Sequence, residues 1–135
     1  MDARLQEYRS ARESAILADR SDLGRLTLTG RDAADLLHRL TTQSIKDLRP
    51  GEGAAAVFAT AKGRILDLVF CHRLEESILM ITGPGRSRPV AEWIERYTIR
   101  EQVVVEDRSA SHGTLGVFGP RAAACVAALY GAEAA

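Results

Sequence analysis

The chain has 135 residues, enough for one domain with a real core. Apolar residues make up 46% and charged residues 27%, an ordinary globular balance. Lys plus Arg and Asp plus Glu number 18 each, so the formal net charge is +0 and no global field exists to hold nucleic acid or an anionic membrane.

The N-terminus, M-D-A-R-L-Q-E-Y-R-S-A-R, is charged and lacks the apolar core of a signal peptide. No run nears the roughly 20 apolar residues that span a bilayer. Residues Ala3 to Leu17 predict a polar amphipathic helix with Leu5, Tyr8, Ala15 and Ile16 as its apolar positions. The polar break D-R-S-D at 19–22 then separates a helical arm, residues 1–22, from a domain over residues 23–135.

Arg25 to Thr29 alternates, with Leu26 and Leu28 on one side, and predicts a half-buried strand. Gly30 ends it, and Asp32 stands where helix caps are common. A helix follows over Ala33 to Leu40, with Ala33, Leu36, Leu37 and Leu40 on one face. Thr41-Thr42-Gln43-Ser44 stops that helix, and R-P-G-E-G at 49–53 is a turn. Ala54 to Ala59 reads as a strand and Ala61-Lys62-Gly63 as a tight connection. Arg64 to His72 is longer and more apolar, which predicts a strand central in its sheet. A polar hairpin turn, R-L-E-E-S, leads to a strand over Ile78 to Thr82.

Gly83-Pro84-Gly85 breaks the chain again. Val90 to Thr98 predicts a helix that buries Val90, Ala91, Ile94 and Tyr97, with Trp93 at its flank. Strands are expected over Gln102 to Glu106 and Thr114 to Phe118. Gly119-Pro120 opens an Ala-rich helix over Ala122 to Leu129. Helices and hairpin-linked strands in this order predict an α+β fold, a mixed and mainly antiparallel sheet covered by helices.

Few residues carry chemistry. Cys71 lies in an apolar strand and Cys125 in a helix, far apart and outside any C-x-x-C, so both are expected as buried, reduced thiols of a cytoplasmic protein. His38, His72 and His112 lack the spacing of zinc ligands, and no metal is expected. G-P-G-R at 83–86 lacks the spacing of a phosphate-cradling loop and reads as a turn. No G-x-S-x-G occurs, and no catalytic residue is identified.

Asp67 interrupts the apolar run I-L-D-L-V-F. A buried carboxylate must be paired, hydrogen-bonded or set at a pocket, because an unpaired one is costly. Alternation also permits an outward position shared with Ile65 and Val69. Lys62 and Arg64 flank Gly63 at the turn, either as a solvated basic hairpin or as a clamp for a carboxylate.

Several stretches, in this order, resemble a known fold. They are L-T-L-T-G-R-D-A-A-D-L-L-H-R-L-T-T-Q-S-I, P-G-E-G, A-K-G-R-I-L-D-L, W-I-E-R-Y-T-I-R-E-Q-V-V-V-E-D and G-V-F-G-P-R-A-A, running from about Arg25 to Leu129. The pattern is similar to the N-terminal folate-binding region shared by the glycine-cleavage T-protein, an aminomethyltransferase, and the YgfZ-type proteins of iron–sulfur cluster maintenance. The K-G-R-I-L form and E-R-Y-x-I-R-x-x-V are closer to the YgfZ branch.

The resemblance implies tetrahydrofolate as cofactor, with Asp67 accepting from the pterin, Lys62 and Arg64 at the entrance, and Thr42 and Gln43 nearby. It implies iron–sulfur proteins as partners, while the balanced charge and the lack of a long apolar run lead to an expectation of no nucleic acid and no membrane. The T-protein pattern has two adjacent acids after the glycine turn, the first of them catalytic. Those positions fall on Leu66 and Asp67, so the first acid is lost unless the register shifts by one residue. The folate-cradling aromatic falls near Ala54 and is lost as well. These departures count against aminomethyl transfer.

The YgfZ signature K-G-C-Y-x-G-Q-E is absent, and the family continues well beyond Tyr130. The chain therefore reads as the N-terminal half alone. Apolar surface left by the other half would favour homo-oligomers. An aminomethyltransferase and a module that has lost its ligand are the alternatives.

Overall fold

The computed structural model describes residues 2–131. Its elements, in chain order, are α1 (Ala3–Glu13), β1 (Ile16–Asp19), β2 (Leu23–Thr29), α2 (Ala33–Leu40), a single 3-10 turn (Ile45–Asp47), β3 (Gly53–Ala59), β4 (Ile65–Arg73), β5 (Ser77–Pro84), α3 (Ser87–Tyr97), β6 (Val104–Asp107), β7 (Leu115–Phe118) and α4 (Ala122–Tyr130). They form two compact units. One comprises the chain up to Arg20 together with the chain from Thr114 onward, and the other is Ser21–Gly113.

The larger unit is a five-stranded sheet in the order β3-β4-β5-β2-β6, and every pairing in it is antiparallel. Alternation decides what each strand buries. Leu26 and Leu28 of β2, Ala56 and Phe58 of β3, Val69 and Cys71 of β4, and Ile78 and Met80 of β5 all point to one face. The helices α2 and α3 cover that face with Ala33, Leu36 and Leu37, and with Val90 and Ile94. The fold is thus α+β, with a sheet shielded on a single side.

The other face is open. Leu68 and Phe70 of β4 remain 50% and 49% exposed. The apolar run of β4 therefore does not mark a central strand: β5 holds the centre, and β4 lies one place from the edge. A run of aliphatic residues fits a strand buried on both faces, but here alternate residues of the run meet water.

Arg25 occupies the open-face position between Gly24 and Leu26 and is nevertheless only 4% exposed. Its guanidinium donates to the carbonyls of Leu23 at 2.7 Å and Ser109 at 2.6 Å, and its backbone N–H donates to Ser109 Oγ at 2.9 Å. These bonds draw the chain after β6 over that end of the sheet. Asp107 nearby is pushed up by burial, but hydrogen bonds from Ser109 and Ser87 and the charge of Arg25 outweigh this and hold it below the usual carboxylate range.

The α2 helix has the predicted bounds. Asp32 precedes it without capping it, because its carboxylate instead accepts from the backbone N–H of Gln102 at 2.8 Å. Arg39 in the last turn of α2 donates to Glu101 at 2.9 Å. That bond, with the backbone N–H groups of Ile99 and Arg100, holds the Glu101 carboxyl down to about 2. Tyr97, expected on the buried face of α3, is 41% exposed. As the last residue of the helix it packs on Trp93, ring centroids 5.1 Å apart, which leaves its polar rim in water.

The smaller unit pairs β1 with β7, from Ile16 opposite Phe118 to Asp19 opposite Leu115. The expected helix through Leu17 ends earlier, at Glu13. Ser14 leaves helical geometry, and its carbonyl accepts from the N–H of Arg121 at 2.9 Å. Ile16 and Leu17 then pair as a strand, which suits a β-branched residue. No residue of α1 or α4 is buried. Cys125 on α4 is exposed, contrary to the expected burial, because α4 covers the two-stranded sheet too thinly to bury any of its residues. Among the described residues no helix is long and apolar enough to cross a membrane.

Candidate functional site

The sheet forks between β4 and β5. Their ladder stops at Phe70 opposite Ile81, yet β4 begins five residues earlier and β5 runs on to Pro84. Beyond that point β4 stays with β3, and β5 stays with β2. Two side chains bridge the gap. Asp67 Oδ2 accepts from the Gly83 N–H at 3.0 Å, and Arg86 donates from its guanidinium to the Leu66 carbonyl at 2.6 Å.

Local sequence explains the fork. In β3 the register shifts between Phe58, opposite Asp67, and Ala59, opposite Ile65, so Leu66 is an extra residue in β4. The shift breaks the alternation in which Ile65, Asp67 and Val69 would share a face. Val69 is fully buried and Asp67 half-buried, while Ile65 is 71% exposed. Leu66 packs against the edge of the core. Gly83 lets this close approach form, since a Cβ there would lie 3.0 Å from Asp67 Oδ1 and push it back.

The T-T-Q corner joins the same row of the sheet. Thr41 bridges to Phe58, the residue opposite Asp67. Thr42 donates its N–H to the Val57 carbonyl at 3.1 Å, and its Oγ1 accepts from the Val57 N–H at 3.1 Å. Thr42 thereby continues the sheet past the edge of β3. Gln43 is exposed, and its side-chain carbonyl accepts from the Ser44 N–H at 3.1 Å.

Lys62 and Arg64 sit at the tip of the β3–β4 hairpin, as expected. Gly63 adopts φ 74° and donates to the Thr60 carbonyl at 2.8 Å, which closes the turn. Both basic side chains are exposed. The structure thus puts Thr41 on the row of Asp67 and Thr42 one residue along, against Val57, and sets Lys62 and Arg64 at the same end of the sheet. Gln43 contributes to the corner alone.

Sequence reasoning missed Arg86 and Gly83. G-P-G-R does form a turn, with Arg86 N–H on the Gly83 carbonyl at 3.1 Å. Its arginine also reaches across the fork. The signal was present, since a turn needs the glycines and proline but gives no reason for an arginine directly after them. Chemically the fork offers one half-buried carboxylate, with cations at its rim and beside it. Such a set can accept from N–H groups of a ligand and pair with an acidic tail. Among the described residues no group of three or more His, Cys, Asp or Glu side chains is placed to hold a metal ion.

Known proteins resemble this chain in sequence and fold. The sarcosine oxidase subunit alpha of Corynebacterium sp. strain U-96 is 32% identical over 133 residues, which is 95% of this chain and 14% of that one. The aminomethyltransferase of Streptomyces coelicolor is 31% identical over 130 residues, 95% of this chain and 35% of that one. The chain therefore spans about a third or less of the length of these curated relatives. Among solved structures, the glycine cleavage system aminomethyltransferase T of Bartonella henselae superposes with a TM-score of 0.81. That likeness covers 92% of this chain and 34% of the other and, at 22% identity, concerns the fold. The GCVT N-terminal domain matches residues 1–135, and the chain belongs to that family.

Proposed function

We propose that the chain binds a reduced folate, tetrahydrofolate, at the fork between β4 and β5. In this reading it serves as a YgfZ-type protein that supports the assembly or repair of iron–sulfur clusters in a reducing cytoplasm. The observation that carries it is Asp67. One carboxylate oxygen is fixed on Gly83, and Oδ1 makes no hydrogen bond among the described residues. A half-buried acceptor held in this way suits the adjacent N–H donors of a pterin ring. Arg64 and Lys62 supply cations for the glutamate tail, and Thr42 and Gln43 border the row. Leu66 supports a binding role over turnover, since an apolar side chain stands where the resemblance places the catalytic acid.

Calorimetric titration with tetrahydrofolate under reducing conditions tests this reading. Asp67→Asn is expected to weaken binding about tenfold, the worth of one charge-assisted hydrogen bond. Arg64→Ala is expected to weaken a polyglutamylated folate more than the monoglutamate. Unchanged affinity in Asp67→Asn would remove Asp67 as a folate-binding group, and unchanged affinity in both Asp67→Asn and Arg64→Ala would remove the fork as the site. Light scattering on the same sample reads self-association, which we propose to run through the open sheet face around Leu68 and Phe70.

A second reading is favoured by the aminomethyltransferase relatives. A shift of one residue in the comparison makes Asp67 the catalytic acid. In that case Asp67→Asn would abolish aminomethyl transfer by the complete enzyme while leaving folate affinity near the starting value.

A further inference from the structure

We propose a second ligand site, for an oxyanion, at the opposite end of β4. A cleft of about 330 Å³ lies between the β4–β5 hairpin, the end of β2 and the start of α2. Its walls include Gly30, Arg31, Arg73, Glu76 and Ser77, with Leu28, Ala33 and Ile78 as the apolar floor. Arg73 is six residues from Asp67, roughly 20 Å along an extended strand. The site is therefore separate from the fork and independent of the folate reading.

Arg73 is the anomaly that identifies it. Val69 and Cys71 precede it on the core-facing side of β4, so alternation turns Arg73 toward the core as well. It stands opposite Ile78, which in turn stands opposite Leu28, and both are fully buried. A core row thus ends in a guanidinium. Its Nε is buried and makes no hydrogen bond, and Arg73 forms no side-chain hydrogen bond or ion pair among the described residues. A desolvated donor without an acceptor is costly, and a positive one more so.

The backbone that carries the side chain is fixed. The Arg73 N–H donates to the Glu52 carbonyl at 2.8 Å, and its carbonyl accepts from the Gly51 N–H at 2.8 Å. Leu74 N–H closes the hairpin on the Ser77 carbonyl at 2.8 Å, which fixes Ser77 beside the same cleft. Arg31 adds a second guanidinium, only loosely paired with Asp32 at 3.5 Å. Glu76 is the one acid on the wall and is exposed, and Asp32 lies against Arg31, so Arg73 is the cation of the cleft without a partner among the described residues. Two guanidiniums and a hydroxyl around a small concavity match a phosphate or carboxylate group, which arginine can hold through two parallel hydrogen bonds.

The test is an NMR titration of the full chain with inorganic phosphate and, separately, with glutarate, against sodium chloride at matched ionic strength. Saturable shifts at the Gly30 and Ser77 amides are expected with at least one anion. Phosphate alone would indicate a phosphorylated ligand, and glutarate alone a carboxylic acid. Arg73→Met should weaken the affinity at least about tenfold. Arg31→Ala should weaken it severalfold and, being at an exposed position, decides the matter if Arg73→Met does not fold. No saturable shift with either anion, or unchanged affinity in a folded variant, would overturn the proposal. Because the titration contains no folate, its failure would leave the fork untouched, and failure of the fork would leave this site standing.

Discussion

Asp67 shows how a single side chain can be visible in sequence and still be placed by its surroundings. An acid in an apolar strand announces itself, but its partner is the backbone N–H of Gly83, which spacing could not reveal. The same limit explains Arg25 and Arg73. Arg25 reads as the start of a strand and Arg73 as the first residue of a polar turn, and only the register shows one wrapped in carbonyls and the other facing a core row without an acceptor. Cysteine burial divided in the same manner. Cys71 is fully buried, and burial pushes its thiol up to about 12, whereas Cys125 is exposed. Since the thiolate is the reactive form, a disulfide reagent at neutral pH should modify Cys125 promptly and Cys71 only when the chain unfolds. Equal rates for the two thiols would contradict the packing of β4.

Among elements, α2 was the most legible, because an eight-residue helix with three buried positions at helical spacing leaves little choice. The α1–β1 boundary was the least. The helical pattern of Ala3 to Glu13 continues into Ile16 without a breaker, and strand formation there depends on β7, about a hundred residues away in the chain. The β4 strand was correctly bounded to within a residue but misplaced in its sheet, since its apolar run suits two-sided burial that the fold does not supply. The β2–α2 connection carries a sharper constraint. Gly30 adopts φ 111°, and a Cβ there would meet the Gln102 carbonyl oxygen at 2.0 Å. Gly30→Ala should therefore cost about 1–3 kcal/mol in urea denaturation, from strain and from displacement of the 101–103 segment. A loss below a few tenths of a kcal/mol would show that this turn relaxes freely.

On the scale of the whole chain, fold class followed from element order, while the division of contacts did not. The first strand pairs with the last, so residues at both ends of the described chain form one unit and the middle forms another. Local patterns carry no record of that pairing, which is why the sequence reading drew a boundary after residue 22. The two units differ in what they bury. The larger has a continuous core of fourteen residues, whereas α1 and α4 bury none and sit beside a two-stranded sheet, a marginal structure in water. Hydrogen exchange should reflect this difference. Amides paired between β1 and β7 should exchange at least about tenfold faster than those paired between β2 and β5. Equal protection would mean that both units open together.

The fork has a consequence for variation on this scaffold. A gap spanned by backbone ladders has a width fixed by peptide geometry, the same for every sequence. Here the width depends on one acid, one arginine and one glycine, Asp67, Arg86 and Gly83, none of which belongs to the core. Exchanging Asp67 or Arg86 for a longer or shorter side chain would be expected to rescale the gap while Leu26, Phe58 and Met80 kept their places. Whatever enters such a mouth would be sized by a few letters of sequence and not by the frame behind them.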